Sequence, residues 1–351
     1  MKVKFSDIKL IPVFDSIRRC DMDDDTYFSE KYREYISNSR LKHINPAEGG
    51  SPSDYKQPEQ ISTQSLSIGS AVHECLLQPE SFTLAPKMGK PTAKLGQVAD
   101  YIYVNRKPDV PIEATIADAC RSVGYYVNQI NSKIPFIIEK CTPYWDKLSE
   151  PRTIKEGVKE IILSDPDYNT VSACLDSCNN NADFINKLHP TNLFGEPLES
   201  YNEIAFFMDF IVMYKDKPKE VLKFKMKADN YTVDVENKIV TLNDLKTTSK
   251  PVNWFMNEEY GSLVHYHYYR QLALYLWLLQ FYCLKHYGAS KEAGWKFNSN
   301  FLVVQTSSEC ASRCYNLNKY WLNKGFDEGQ ELLKRIAAYK MFGWDSEIDF
   351  E

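Results

Sequence analysis

The stretch VLKFKMKADNYTVDVENKIVTLNDLKTT, from Val221 to Thr248, has the alternating pattern of β-strands and carries the charged residues that indicate the fold. Successive side chains of a strand point to opposite faces, so Asp244 and Lys246 share one face. Asp229 ends the alternating segment KFKMKAD, and a turn at residues 236–238 separates the two strands that follow. Because a hairpin folds the chain back on itself, both aspartates can reach the same edge of an antiparallel sheet of about three or four strands.

Two carboxylates beside one lysine fit two different arrangements. One is a solvent-facing salt bridge in a hairpin, which contributes at most about 1 kcal/mol. The other is a hydrolytic site for phosphodiesters, in which Asp229 and Asp244 bind Mg²⁺ or Mn²⁺ through oxygen ligands. There the metal would activate a water molecule, while Lys246 would orient or help deprotonate that water and stabilise the developing anion. The D-x-K spacing alone favours the salt bridge, so other segments decide.

A second segment supplies a histidine in a suitable setting. SLSIGSAVHECLL, from Ser65 to Leu77, spaces its apolar residues as an amphipathic helix does, with His73 at the edge of the apolar stripe. Most helix histidines are packed or surface residues, but an imidazole can also complete a divalent metal site. Gly69, one helical turn earlier, would let another group approach the helix closely beside His73.

A third segment, SLVHYHYYRQLALYLWLLQFYCL from Ser262 to Leu284, predicts a long and largely buried helix. Gln271 and Tyr275 are four residues apart and therefore lie on one face of that helix. A glutamine inside such an apolar helix needs a polar partner if it is buried. Lys227, two residues before Asp229, adds a positive charge that attracts phosphate beside the proposed metal.

The composition limits the class of protein. With 351 residues and 40.7 kDa, the chain can form one large core with insertions, and its helical and strand patterns predict a mixed class. The formal net charge of -5 indicates that nucleic acid would be bound by a local basic groove or through metal ions. Nine cysteines and the absence of a signal-peptide pattern predict a reducing, cytoplasmic location. The longest apolar run, Leu272 to Leu284, falls short of the roughly 20 residues that cross a membrane.

Periodicity and composition also divide the chain. Residues 1–35 are polar, include the acidic patch DMDDD, and predict a loose, solvated arm. Residues 36–345 are expected to form one domain, with a helical insert at about residues 90–195. A strand, NFLVVQT, and a helix from about Leu317 to Met341 complete the expected core.

The segments together resemble a known family. The ordered set GSAVHECLLQPESF, KFKMKAD, DLKTT and YRQLALY resembles the RecE/RecB-type branch of the PD-(D/E)XK nucleases, most closely the RecE-like phage and prophage exonucleases. YISNSRLKHI is similar to the serine-bearing helix that precedes the histidine helix in that branch. The resemblance covers roughly residues 35–340. It implies an α/β (α+β) restriction-endonuclease-like core, with a central mixed sheet flanked by helices and a helical insertion.

The resemblance also implies a catalytic set. His73, Asp229 and Asp244 match the metal ligands of the family. The backbone carbonyl of Leu245 is implied as a further ligand, and Lys246 matches the catalytic lysine. The implied cofactor is Mg²⁺ or Mn²⁺.

Other positions match the surroundings of the family's active site. Gln271 and Tyr275 match the Q-x-x-x-Y signature that borders the catalytic residues and the DNA strand. Glu203 falls where related nucleases often carry an acidic residue near a second metal. Contacts with DNA are expected from three residues: Lys227, Ser39 and Arg40.

Family membership would imply an activity and partners. The expected reaction is degradation of linear double-stranded DNA from an end, typically 5′ to 3′, which leaves a 3′ single strand for a single-strand annealing protein. Relatives of this kind are commonly homo-oligomeric rings around the duplex. The expected setting is phage-type recombination or replication in the host cytoplasm, with no membrane partner.

Two departures from the family pattern affect the interpretation. The proline that usually precedes the first aspartate is Ala228 here, which is tolerable because proline is a backbone feature and not a ligand. An iron-sulfur cluster or a zinc site is not expected, since the cysteines do not reproduce the grouping of the relatives that hold a cluster. The pairs with three intervening residues are Cys174 with Cys178 and Cys310 with Cys314.

Two other functions stay open at this point. A structure-selective endonuclease on the same core would use identical chemistry and differ only in how DNA reaches the site. A catalytically quiet DNA-binding or assembly module would keep the fold without the reaction. Loss of an acidic ligand or of Lys246 would have favoured that module, and neither is lost.

Overall fold

The computed structural model describes residues 2–56, 64–192, 194–307 and 309–351. The chain forms two compact units. The sheet unit comprises residues 1–61, 178–307 and 311–351, and the helical unit comprises residues 62–177 and 308–310. The helical unit therefore includes the histidine helix, and it ends before the expected insert boundary near residue 195.

The described strands run as follows: β1 Lys2–Val3, β2 Ile8–Pro12, β3 Arg18–Asp21, β4 Phe82–Leu84, β5 Lys159–Ile161, β6 Glu199–Tyr214, β7 Lys217–Asp234, β8 Ile239–Thr248, β9 Lys296–Gln305, β10 Ser312–Asn316 and β11 Asp349–Phe350. The described helices are α1 Asp24–Tyr27, α2 Asn38–Leu41, α3 Pro52–Lys56, α4 Gln64–Leu77, α5 Ala93–Asn105, α6 Ile112–Ser122, α7 Val127–Ser149, α8 Asp165–Asn179, α9 Ala182–Leu188, α10 Ser262–His265, α11 Tyr268–Tyr287 and α12 Lys319–Phe342.

A mixed sheet forms the centre of the sheet unit. Among the described strands its order is β10-β9-β8-β7-β6-β2, and β3 also pairs with β6. The neighbours are antiparallel except β8 and β9, which are parallel. Parallel neighbours need a long crossover connection, and α10 and α11 lie in that connection. The predicted hairpin between β7 and β8 and the expected mixed α/β fold with flanking helices are confirmed.

Helices α11 and α12 cover the apolar face of the sheet. Leu272, Leu274 and Leu278 of α11 are fully buried, so this helix is covered on more than one side. The two helices approach closely at Gly325, where an added Cβ atom would lie 2.3 Å from the backbone oxygen of Tyr269. None of the described helices is long and apolar enough to cross a membrane.

The N-terminal residues are part of the sheet. Strand β2 pairs with β6 from Ile8 to Pro12, and β3 pairs with β6 from Arg18 to Asp21. Ile8 and Ile17 are almost completely buried. The prediction of a loose, solvated arm is therefore wrong for these residues, because a few apolar side chains in a polar segment are enough to hold two edge strands on the core.

Two further predictions need correction. Asp229 does not end a strand, because β7 continues through it from Lys217 to Asp234. The long helix predicted from Ser262 is interrupted, since α10 ends at His265 and α11 begins at Tyr268. His267, between them, has a left-handed backbone with φ of 51°. Contacts from a distant glutamate, described below, hold this break.

A row of asparagines crosses the sheet at one level. Each amide of the row bonds the next across neighbouring strands. Asn230 donates to Asn202 at 2.7 Å, Asn243 to Asn230 at 2.7 Å, Asn300 to Asn243 at 2.9 Å, and Asn316 to Asn300 at 3.3 Å. The row members lie on five adjacent strands, in the order β6, β7, β8, β9 and β10.

The asparagines at the centre of this row are buried and hydrogen-bonded. Asn230 and Asn243 have no exposed surface, and Asn243 also donates to the backbone oxygen of Lys187 at 2.8 Å. Buried polar groups cost free energy unless they are paired. A one-residue slip of any strand would separate these amides, so the row favours the register that puts Asp229 opposite Asp244.

Replacing the central asparagine tests this stabilisation. Asn243→Leu removes the partner of Asn230, Asn300 and the Lys187 carbonyl, and we expect the free energy of unfolding to fall by about 3 kcal/mol. The matched change Asn316→Leu, at the exposed end of the row, should cost about 1 kcal/mol or less. Urea unfolding of both variants measures the difference, and equal losses would contradict a special role for the buried centre.

A buried lysine lies on the face of β7 opposite the apolar core. Lys225 is only 5% exposed. Its ammonium group donates to the backbone oxygen of Tyr27 at 2.7 Å and lies 4.2 Å from the centre of the Tyr27 ring. Burial, with a smaller effect of the Arg40 charge, lowers the pKa of Lys225 from 10.5 to about 8.

This lysine predicts a pH dependence of stability. Because its folded-state pKa lies below its unfolded-state value, the unfolded chain binds more protons between about pH 8 and 10.5, and stability rises with pH across that window. The slope is at most about 1.4 kcal/mol per pH unit. Lys225→Met should lack this contribution, so the unfolding free energy of the wild-type protein should rise relative to that of the variant between about pH 8 and 10.5. A difference that does not change with pH would contradict the assignment.

The helical unit has its own core. Helices α5, α6 and α7 pack together around Ile102, Ile116 and Tyr144. The Trp145 indole donates to the backbone oxygen of Ala99 at 3.0 Å and so joins α7 to α5. The short strands β4 and β5 pair in parallel within the same unit.

Candidate active site

The ladder between β6 and β7 skips a position that both strands fill with an acid. The ladder pairs Asn202 with Asn230 and Ile204 with Ala228, and it passes over the residues between them. On β6 the residue passed over is Glu203, which has a left-handed backbone with φ of 55°.

On β7 the residue that the ladder passes over is Asp229. One carboxylate oxygen of Glu203 lies within 4.8 Å of one of Asp229. The core-facing residues of β7 are even-numbered up to Ala228 and odd-numbered from Tyr231 onward. The strand therefore changes the face that it buries near Asp229. Asp229 lies at the point where the alternation of core residues is interrupted.

The Asp229 carboxylate also joins β7 to β8. Pairing of these strands extends to Asn230 with Asn243. Beyond that pair, Asp229 Oδ2 accepts the backbone N–H of Leu245 at 2.8 Å. A side-chain bond thus replaces a backbone bond, and it fixes the first aspartate beside the strand that carries the second.

Asp244 is held from two sides. Lys246 Nζ lies 2.6 Å from Asp244 Oδ2, and Gln271 Nε2 of α11 donates to Asp244 Oδ1 at 3.0 Å. Asp244 is 1% exposed, so this is a buried ion pair and not the solvent-facing salt bridge that the spacing alone favoured. Charge-assisted bonds in such surroundings have well-defined geometry.

The electrostatics of the lysine follow from its neighbours. Burial alone would lower the pKa of Lys246, but the charges of Asp244 and Asp229 outweigh it and raise the pKa above its ordinary value. The ammonium group also lies 5.0 Å from the centre of the Tyr268 ring. Tyr275, one turn beyond Gln271, is buried, and its pKa is raised by burial and by the nearby charges.

Lys227 is close to the site but its charge is already matched. Its ammonium group lies 2.6 Å from Asp24 Oδ1 and 2.7 Å from Glu203 Oε2. Burial would lower the pKa of Lys227, but the hydrogen bonds to Asp24 and Glu203 raise it. Lys227 thus anchors Glu203 and α1. Its expected contact with DNA stays a prediction.

Three other predicted residues lie on helices outside the strands that carry the aspartates. His73 is half-buried on α4 of the helical unit, and its role as a metal ligand stays a prediction. Ser39 lies within α2, whose N-cap residue is Ser37. Arg40 stacks on Tyr55 at 4.4 Å and lines an open cavity of about 500 Å³ in the sheet unit. DNA contacts of Ser39 and Arg40 stay predictions.

The sequence interpretation missed a network that positions the start of α11. Arg270 is 1% exposed, and its Nη1 atom donates to Glu48 at 2.6 Å and to Glu328 at 2.7 Å. Glu328 of α12 also binds His267 Nδ1 and the Tyr269 hydroxyl, each at 2.7 Å. The network holds the break between α10 and α11. Gln271 is the residue directly after Arg270, so the network also positions Gln271.

Signals for these groups exist in the sequence. An asparagine follows Asp229 and another precedes Asp244, which puts a polar amide next to the acid on each strand. An arginine also precedes Gln271 in a helix that is apolar on most sides. Buried amides and guanidinium groups need partners, so each of them indicates a polar network.

The donors at the strand break fit a hard divalent cation. Asp229 and Asp244 supply carboxylate oxygens from neighbouring strands, and Glu203 adds a third carboxylate near Asp229. Oxygen donors of this kind are typical of Mg²⁺ and Mn²⁺ sites. A second group of possible ligands, Glu48 with His267 and Glu328, already surrounds the Arg270 guanidinium.

A mixed sheet whose neighbouring strands carry Asp229 and the Asp244–Lys246 pair defines a PD-(D/E)XK-like core. A family described as a PDDEXK-like domain of unknown function (DUF3799) matches residues 153–343, which is more than half of the chain. The chain belongs to this family, and with it to the PD-(D/E)XK nuclease superfamily.

The other comparisons are more distant. A crystal structure of a candidate exonuclease from Eubacterium rectale is similar to this chain, with 13% sequence identity and a TM-score of 0.46. The match covers 92% of this chain and 87% of that chain. No curated protein matches the sequence.

Metal binding can be tested without any reaction. We expect Mn²⁺ to bind the wild-type protein, and Asp244→Asn to weaken binding about 10-fold or more, because a charged oxygen ligand is lost. Asp216→Asn is the matched control, since it changes an exposed acid at the turn between β6 and β7 and should leave the affinity unchanged. Calorimetric titration with Mn²⁺ measures both effects. Unchanged affinity in Asp244→Asn, or loss of binding only in Asp216→Asn, would contradict the placement of the metal.

Proposed function

We propose that the protein is a Mg²⁺-dependent deoxyribonuclease that hydrolyses linear double-stranded DNA from an end, in the 5′ to 3′ direction. The observation that carries the proposal is the buried Asp244–Lys246 ion pair, with Asp229 bound to the next backbone N–H of the same strand. Two carboxylates and an ammonium group on neighbouring strands support the proposal, since they can serve as metal ligands and as a cation beside the phosphate. The superfamily uses such an arrangement for phosphodiester hydrolysis, and the motif resemblance supports DNA ends as the substrate.

Each group has a defined task in this proposal. A bound Mg²⁺ would lower the pKa of a coordinated water molecule and neutralise charge on the phosphate. Asp229 and Asp244 hold that ion. Lys246 stabilises the anion that develops on the phosphate and orients the attacking water. Because Asp244 contacts Lys246 directly, the ligand and the lysine keep a fixed relative position before substrate binds.

The helix residues support this arrangement. The amide of Gln271 donates to Asp244 Oδ1, and Lys246 contacts Oδ2. Two donors therefore fix the orientation of this carboxylate. Tyr275 is buried on the same helix face and is hydrogen-bonded to the Gln271 side chain. Preorganised donors and ligands of this kind avoid reorganisation during the reaction.

The wider role is part of the same proposal. The motif resemblance supports a function in phage-type recombination or replication, in which the 3′ strand left by digestion passes to a single-strand annealing protein. A homo-oligomeric ring would explain processive digestion by encircling the duplex. The ends of linear DNA are then the natural substrate.

Digestion of labelled DNA tests the activity. We expect 5′-labelled linear duplex to be degraded in Mg²⁺, covalently closed circles to persist, and EDTA to stop the reaction. Lys246→Met should lower the rate about 100-fold or more while DNA binding stays near wild type, because the lost charge acts on the transition state.

The controls separate the alternatives. Lys296→Met removes an exposed lysine at the far end of the β8–β9 pair and should leave the rate unchanged. Cutting of closed circles would identify an endonuclease. Wild-type protein that binds DNA but cuts none of these substrates would contradict the proposed activity and indicate a binding module.

A further inference from the structure

An aromatic surface lies between the strand of the catalytic lysine and helix α11. The connection carries three large rings that are about half exposed: Trp254 at 45%, Tyr260 at 46% and Tyr266 at 53%. Trp254 and Tyr260 contact each other edge to face at 5.3 Å. Exposed rings grouped in this way are typical of interaction sites.

A continuous line of rings leads from the catalytic lysine to this surface. Lys246 Nζ lies 5.0 Å from the centre of the Tyr268 ring. The Tyr266 ring lies 5.4 Å from that of Tyr268, and the His265 ring packs edge to face on Tyr266 at 4.6 Å. Tyr266 is therefore the exposed end of an aromatic stack that begins at the proposed reaction centre.

The backbone holds Tyr266 in place. Its N–H donates to the Ser262 carbonyl at 3.1 Å, and the N–H of Leu263 donates to the Phe255 carbonyl at 3.0 Å. Gly261 lies so close to this turn that an added Cβ atom would be 2.6 Å from the Phe255 oxygen. A ring that is already positioned loses little conformational entropy when a ligand stacks on it.

The charges around the surface indicate which part of a nucleic acid it suits. Glu258 and Glu259 are exposed on the same connection, and the Lys250 ammonium group donates to the Tyr260 carbonyl at 3.0 Å. Two acids against one lysine leave no net positive charge that would attract a phosphate backbone. The faces of nucleobases are uncharged and flat, and they stack on tyrosine with little dependence on base type. A protein partner seated here would cover the approach to Lys246, which a substrate must reach.

We propose that Tyr266 is the stacking platform for an unpaired nucleobase of the strand that is cut at the Lys246 site. This inference rests on the proposed nuclease function and adds a substrate class to it, namely DNA ends whose terminal base is unpaired. A base that stacks on Tyr266 has left its partner strand. The free energy of stacking then offsets part of the cost of opening the last base pair.

Binding tests the platform in the absence of cleavage. A single-stranded oligonucleotide with terminal 2-aminopurine is titrated in EDTA with wild-type protein and with three variants: Tyr266→Ala, Tyr266→Leu and Tyr266→Phe. We expect quenching by the wild type and by Tyr266→Phe, which keeps the ring. Tyr266→Ala and Tyr266→Leu should bind about 10-fold more weakly and lose the quenching. Equal quenching by all four proteins would overturn the proposal.

Cleavage rates separate this inference from the proposed function. The wild-type protein should degrade duplexes with a mismatched terminal pair faster than fully paired ones at subsaturating DNA. Tyr266→Leu should cleave both substrates about 10-fold more slowly, because the lost stacking free energy is common to both, while Tyr266→Phe keeps the wild-type rates. If the wild type cleaves DNA and Tyr266→Leu cleaves it at the wild-type rate, the platform is wrong and the nuclease stands. If the wild type cleaves nothing, the nuclease function itself fails, and the quenching titration still decides whether Tyr266 binds bases.

Discussion

The candidate active site depends on one break in the pairing of two long strands. At Glu203 and Asp229 the ladder between β6 and β7 passes over one residue on each strand, and β7 changes the face that it buries. Pairing resumes directly on both sides, from Asn202 with Asn230 and from Ile204 with Ala228, and this keeps the break local. Because the buried asparagines beside it favour one register, Asp229 lies next to β8 and accepts the N–H of Leu245. The pair of acids therefore results from an interruption of the sheet, which the surrounding sheet stabilises.

The helices complete what the strands begin. Glu328 of α12 binds the residues around the helix break, and Arg270 carries the same network to Glu48. Gln271 is the next residue of α11, and its amide reaches Asp244. Breaking such a buried ion pair is costly, about 3 to 5 kcal/mol when one partner is removed. The network thus links the fold of the N-terminal segment, the packing of α12 and the orientation of the second aspartate.

Local periodicity explains which features the sequence predicted. The common face of Asp244 and Lys246 follows from strand alternation, the hairpin from the turn at residues 236–238, and the neighbouring positions of Gln271 and Tyr275 from the helical repeat. Features that depend on distant residues were not predictable in this way. Lys227 is neutralised by Asp24, which is 203 positions away, and the helix break at His267 depends on Glu328, 61 positions away. Strands β2 and β3, which form from a polar N-terminal segment, were not predictable for the same reason. They depend on pairing with β6, which is distant in the sequence.

The most direct test of the central claim is cleavage of DNA that carries a single phosphorothioate at the scissile position, with each sulfur stereoisomer assayed in Mg²⁺ and in Mn²⁺. If a metal held by Asp229 and Asp244 contacts the phosphate, one isomer should be cut slowly in Mg²⁺ and recover in Mn²⁺, because sulfur is a poor ligand for Mg²⁺ and a better one for softer ions. The same recovery should be absent in Asp244→Asn. Equal rates for both isomers in both metals would contradict the account, since the carboxylates would then not act on the phosphodiester through a metal.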